Sequence, residues 1–307
     1  MAELCLGTVQ FGMKYGINNI LGQPAEDDVF DMLDAAIEDG IHVIDTASAY
    51  GTAEMVLGKY LKSNKRKDCL QIISKLRPNV ISDGEKDVSG RIRRECEDTL
   101  HRLNISCLDG YLLHTPGYIY NSEILDGMRK LKEQNLIRHA GISIYDLKEG
   151  YAALSAGGMD YIQLPYSILD QRGVQKGFIQ KAKQSGMTVF TRSAFLQGLF
   201  MMDREKIPAG LRHVIPYLEK FDRILERHGA GKAEALIHFA ASEADIDYVV
   251  FGVDTKEQLQ QDIDAYHNKK ITSECIAEIK DTFVSIEKSI IFPSLWAQQK
   301  AGADTCR

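Results

Sequence analysis

The sequence predicts an α/β fold, a closed (β/α)8 TIM barrel, on three observations. Short apolar runs alternate with longer segments of helical periodicity from the first residues to about position 265. Most of these runs are continuously apolar rather than alternating, as strands of a parallel sheet are when helices cover them. The unit repeats eight times with no Pro-, Gly- or Ser-rich linker, and an open doubly wound sheet rarely needs so many regular units.

The expected strands, in order, are Leu4 to Thr8, His42 to Asp45, Leu70 to Lys75, Gly110 to His114, His139 to Ser143, Tyr161 to Leu164, Thr188 to Thr191 and Tyr248 to Gly252. Between them lie helical patterns. Glu26 to Asp39 repeats Val29, Met32, Leu33, Ala36 and Ile37 on one face, and Val88 to Leu103 does the same with Ile92, Cys96, Leu100 and Leu103. Phe195 to Arg227 is too long for a plain connection and predicts a loop and extra helix over the C-terminal face of the barrel. The tail Ile290 to Trp296 is apolar for a chain end, and reads either as a cap on the pocket or as a segment docked against the barrel. Residues 1–307 thus read as one domain, with extra helices after the seventh strand and at the C-terminus.

Composition excludes several classes. A net charge of −6 gives no electrostatic footprint for nucleic acid, and the small run Lys65-Arg66-Lys67 reads as a solvated loop. The six cysteines have no paired spacing, so they read as free thiols in a reducing cytoplasm, with no metal site. No basic region with an apolar core opens the chain, and no apolar stretch reaches membrane-spanning length. A cytoplasmic protein is expected.

The chemistry sits at strand ends, where a parallel barrel keeps it. Asp45, Tyr50, Lys75 and His114 fall just past the apolar runs of strands two, three and four. A phenol donates a proton well only if its pKa of about 10 comes down, and an ammonium beside it favours the phenolate. Asp45 keeps that ammonium charged and aimed; a neutral His114 imidazole can hydrogen-bond and orient a substrate oxygen. Singly, each has an ordinary explanation: a turn carboxylate, a half-buried aromatic, a solvated strand end, a satisfied histidine. Jointly they point to carbonyl chemistry. Two rivals remain open, a lyase or aldolase with Lys75 as Schiff-base nucleophile and a nicotinamide-binding sensor without turnover.

Asp45-Thr46-Ala47-Ser48-Ala49-Tyr50-Gly51 with Glu54, the pair Ser74-Lys75, and Leu112-Leu113-His114 together resemble the aldo-keto reductases over almost the whole chain. The resemblance implies an oxidoreductase that reduces an aldehyde or ketone, or oxidises the alcohol, by hydride transfer from NAD(P)H. It makes Tyr50 the general acid, Lys75 and Asp45 its tuners and His114 the orienter. It further implies that Gly7 and Thr8 lie under the nicotinamide, that Ser143 and Gln163 face it, and that Arg192, Ser193, Phe195, Gln197 and Gly198 form the pyrophosphate-side loop. Gly252, Asp254, Gln258, Gln261 and Asp262 match the stretch gripping the adenosine half.

The sequence departs from the family pattern in three places. Ile144 replaces an asparagine and removes one carboxamide partner. Arg192 stands where many members stack an aromatic on nicotinamide; a planar guanidinium can stack too, or can form an internal ion pair. Asp254 repels a 2′-phosphate and suits a free 2′-hydroxyl, with Lys256 the nearby cation. Alternatively, Asp254 and Thr255 simply cap the following helix. The resemblance favours NADP(H); these charges keep NAD(H) open. The partner is a small-molecule carbonyl or alcohol, with substrate choice in the loops and tail around Phe11, Tyr118, Phe200 and Trp296.

Overall fold

Strands of a parallel sheet need a partner on each edge, and here each finds its sequence neighbours. The computed structural model describes residues 1–63, 69–268 and 271–296, so the Lys65-Arg66-Lys67 run lies outside the described residues. In it β1 (Glu3–Gly7), β2 (Val43–Asp45), β3 (Gln71–Leu76), β4 (Leu108–Leu113), β5 (Ile137–Ser143), β6 (Tyr161–Pro165), β7 (Thr188–Arg192) and β8 (Tyr248–Phe251) pair in chain order. All neighbours are parallel, and β8 closes onto β1, Cys5 facing Val250. The predicted (β/α)8 barrel is what forms.

Two strands start two residues earlier than the apolar runs suggested. β4 includes Asp109, whose carboxylate accepts from Ile72 N at 2.9 Å and so serves the adjacent strand. β5 takes in Arg138, which pairs with that same Asp109. A charged residue with a partner on the next strand is compatible with a strand, but apolar patterning cannot show it.

Helices cover the outside for the expected reasons. Glu26–Glu38 buries Val29, Met32, Leu33, Ala36 and Ile37, and carries Glu26, Asp27 and Asp28 in its first turn against the positive end of the helix dipole. Val88–Leu103 is capped by Asp87, which accepts from Gly90 N at 2.9 Å, and stops at Asn104 in the left-handed conformation. After β7 come three short 3-10 turns and the helix Ile215–His228, the predicted extension.

Along each strand the side chains alternate between these helices and the barrel interior. Cys5, Val43, Ile73, Leu112, Phe190 and Val250 form the interior cluster. Its N-terminal end is filled by Tyr161, Phe190 and Tyr248, with ring centroids 5.2 and 4.8 Å apart. Gly110 makes room for that plug, since a Cβ there would lie 2.9 Å from the Tyr161 ring. At the opposite end the tail docks: Ile290 and Ile291 are buried and Trp296 Nε1 donates to Ile290 O at 3.0 Å. Phe292 also stacks on Tyr145, just past β5, at 5.9 Å.

Outward-facing Ser74 braces the loop after β2. It donates to Glu54 Oε1 at 2.6 Å, and Arg102 Nε donates to Glu54 Oε2 at 2.6 Å, tying β3 to the helices Ala53–Ser63 and Val88–Leu103. Glu54 is buried, and the partly exposed arginine is its ion-pair partner. Glu54→Gln is expected to lower unfolding stability by about 2 kcal/mol, since Arg102 is partly solvated. Urea denaturation checks this; an unchanged midpoint would mean the brace carries no stability.

Candidate active site

Inward parity assembles the site. Gly7, Asp45, Lys75, Ser143, Gln163 and Arg192 all lie two residues beyond an inward-facing position, and His114 lies two beyond Leu112. They gather where the strands end.

Lys75 is fully buried. Its Nζ donates to both Asp45 oxygens at 2.7 Å, to Thr46 O at 2.8 Å and to Tyr50 Oη at 3.3 Å. Burial lowers the Lys75 pKa, but Asp45 reverses this and raises it above the ordinary lysine value. An ammonium held by several acceptors is poorly suited to the Schiff-base role considered above, which needs a free amine.

Tyr50 reaches the ammonium because its loop is clamped. Tyr50 N bonds Ala47 O at 3.0 Å, Ser48 Oγ bonds Lys75 O at 3.1 Å, and Thr52 N bonds Gly12 O at 3.1 Å. Gly12 and Gly51 permit the contact: a Cβ on Gly12 would lie 1.8 Å from Tyr50 O, and one on Gly51, at φ +57°, 2.2 Å from Gly12 O. Sequence reasoning expects Lys75 to draw the Tyr50 pKa down. In the fold burial raises it and outweighs Lys75, whose pull Asp45 opposes, so Tyr50 holds its proton. The His114 ring meets Tyr50 edge-on at 6.0 Å. Burial first, then Lys75 and Arg192, press the His114 pKa down to about 3, leaving a neutral imidazole.

The residues expected to touch a cofactor divide into groups. Thr8 serves β2, its Oγ1 donating to Asp45 O at 3.2 Å, beside Gly7. Gln163 is engaged at both ends, donating to Asp45 Oδ1 at 2.8 Å and accepting from Ser143 Oγ at 3.1 Å. Arg192 forms no ion pair among the described residues; it donates to Ile144 O at 3.1 Å. Ser193, Gln197 and Gly198 have φ of 73, 55 and 83°, strain of about 1 kcal/mol for each non-glycine residue. Phe195 packs against the core beside them.

The loop after β1 crosses to these turns. Ile17 N bonds Gln197 O at 3.2 Å, Gln197 Nε2 bonds Tyr15 Oη at 2.9 Å, and Asn19 Nδ2 bonds Asp254 Oδ1 at 2.8 Å. Asp254 N in turn donates to Gln258 Oε1 at 2.8 Å, while Thr255 caps the helix Lys256–His267 by accepting from Gln258 N at 3.2 Å. The capping explanation therefore holds for Thr255, whereas the Asp254 side chain turns to Asn19. Gln261 is exposed, and its neighbour Asp262 is buried with a carboxyl pushed up to about 7.

Among the described residues, three of the buried side-chain atoms that lack a partner follow barrel strands: Gln10 Oε1 beside Gly252, Thr46 Oγ1 and His114 Nδ1, after β1, β2 and β4. Each such atom costs about 1–3 kcal/mol, and a polar ligand in the mouth relieves it, so these residues fit a dinucleotide. No motif or spacing rule marks Asn19, Tyr15 or Tyr145. Phe11 and Phe200, expected at the substrate, are core residues, Tyr118 Oη accepts from Ile81 N at 2.8 Å, and Trp296 is buried in the docked tail.

A family model described as the aldo/keto reductase family matches residues 3–282. The NADH-specific methylglyoxal reductase of Escherichia coli (strain K12) is 25% identical over 260 residues, covering 74% of this chain and 78% of that protein. An aldo-keto reductase of Strobilurus tenacellus is 23% identical, over 83% of this chain and 81% of its own. Among solved structures, an aldo-keto reductase from Bacillus halodurans in its holo form superposes with a TM-score of 0.76 at 23% identity, covering 93% of this chain and 94% of that one. The glycerol dehydrogenase of Gluconobacter oxydans gives 0.71 at 21%, covering 92% and 93%.

The His114 environment has a pH signature. Its folded pKa lies below the ordinary value of 6.5, so the unfolded chain binds a proton first as pH falls, and stability present above 6.5 is lost toward about 3. Relative to His114→Gln, the wild type is expected to lose about 1 kcal/mol between about pH 7 and about pH 5.5. Denaturation of both proteins across that range checks this; a constant difference would refute a buried neutral imidazole.

Proposed function

Because the chain belongs to the aldo/keto reductase family, we propose that it reduces an aldehyde or ketone to the alcohol, or the reverse, with Tyr50 as the proton donor. It is an NAD(P)-dependent oxidoreductase, and the finer assignment rests on one observation: the buried Lys75 ammonium touches Tyr50 Oη and is neutralised by Asp45.

A bound reduced nicotinamide supplies a hydride to the carbonyl carbon. Tyr50 Oη gives its proton to the carbonyl oxygen as the C=O electron pair moves onto it, and Lys75 stabilises the phenolate left behind. Neutral His114 hydrogen-bonds that oxygen and fixes its direction. Ser143 and Gln163, the loop from Ser193 to Gly198, and Gly252 to Asp262 would hold the dinucleotide. Tyr50→Phe is expected to cut turnover about a thousandfold while leaving nicotinamide binding intact. Full activity in that variant would sink the mechanism.

We further propose NADH over NADPH. Asp254 presents a carboxylate at the start of the last barrel helix, and Lys256, the cation in that stretch, lies 3.8 Å from Asp31. The E. coli relative is described as NADH-specific, which supports the same choice. Fluorescence titration is expected to show NADH binding at least about tenfold tighter than NADPH, with Asp254→Arg narrowing the gap. Equal affinities would refute the charge argument, and binding of neither would undermine the reductase reading.

A further inference from the structure

Parity sends a second cation into the barrel mouth. Arg192 follows Phe190, an interior ring, by two residues on β7, so its side chain starts inward. It then passes the end of β6 to reach β5, donating from Nη2 to Ile144 O at 3.1 Å and from Nη1 to Ser193 Oγ at 3.4 Å. Its guanidinium lies 4.1 Å from the centroid of the Tyr145 ring.

Every one of these partners is neutral. Lys75 in the same mouth is balanced by Asp45, but Arg192 has no carboxylate among the described residues. The guanidinium lies over the Tyr145 ring, and of its five N–H groups two are used by the oxygens above. The position adjoins the proposed chemistry, since Ile144 follows Ser143, which donates to Gln163, itself bonded to Asp45. A half-buried cation with spare in-plane donors is matched by a planar anion that takes them two at a time.

We propose that Arg192, backed by Tyr145, is the receptor for a carboxylate on the substrate, so that the enzyme's substrates are carbonyl compounds bearing a carboxylic acid. This rests on the reductase reading above. A carboxylate is favoured over a phosphate because one planar fork satisfies it, whereas a phosphate dianion calls for further donors. The reaction is unchanged: hydride to the carbonyl carbon, proton from Tyr50 to its oxygen, carboxylate spectating.

The test compares 4-carboxybenzaldehyde with its neutral methyl ester, methyl 4-formylbenzoate, in wild type, Arg192→Met and Arg192→Lys. Wild type is expected to prefer the acid by at least about tenfold in kcat/KM, Arg192→Met to lose that preference and Arg192→Lys to keep part of it. The acid-to-ester ratio within each protein cancels any general loss of activity. An equal ratio in wild type and Arg192→Met overturns the proposal but leaves the reductase reading standing. So does weakened NADH binding in Arg192→Met with an unaltered ratio, which would assign Arg192 to the cofactor. If neither aldehyde is reduced, the reductase reading fails instead. Benzoate titration by calorimetry then decides the anion site: binding lost in Arg192→Met supports it, and no difference overturns it.

Discussion

The buried ammonium of Lys75 is the constraint around which the rest is arranged. An uncompensated charge in that position would cost several kcal/mol, and what compensates it comes from all round the barrel. Asp45 on β2 meets it with both oxygens, Gln163 on β6 holds one of those oxygens, Ser143 on β5 holds Gln163, and Thr8 after β1 binds the Asp45 carbonyl. A closed sheet brings such distant strands to one carboxylate. Removing either charge would strand the other, so the pair is structural whatever else it does.

The same burial sets the states of its neighbours. Tyr50 is kept protonated and His114 neutral because water is scarce beside them. A protonated phenol and an uncharged imidazole therefore stand edge to edge, their rings 6.0 Å apart. The lysine adds a positive field at close range that favours the phenolate only as the proton leaves.

Much of this was readable in the sequence, and the reason is periodicity. Apolar runs placed the strands to within a few residues, and polar residues directly after those runs had to lie at the barrel's C-terminal end. Asp45, Lys75 and His114 follow from that alone. What could not be read depends on loop paths and on partners far along the chain. Glu54 finds Arg102 across 48 residues and Asp254 finds Asn19 across 235, and no spacing rule links them. Phe11 and Phe200 looked like substrate contacts by loop membership, yet they pack inward, while Tyr145 and Phe292 stand near the mouth. Arg192 was expected either to stack on nicotinamide or to pair with a carboxylate; among the described residues it pairs with no carboxylate, and its guanidinium lies over the Tyr145 ring. A shift of one residue decides whether a strand-end side chain enters the barrel or leaves it, and the loop decides what it meets there.

The seam between β1 and β8 carries a consequence for how the protein is made. β2, β3 and β4, which hold Asp45, Lys75 and the approach to His114, are neighbours in chain and sheet and can pair early on the ribosome. Their ammonium is shut away from water only when β8 emerges and joins β1, with Ala2 N bonding Ala241 O at 2.9 Å and Tyr266 Oη bonding Ala2 O at 3.0 Å. Asp45, Lys75 and His114 thus leave the ribosome before β8, the strand that closes the barrel around them. Until β8 pairs, the Lys75 and Asp45 charges keep the hydration that the closed barrel removes.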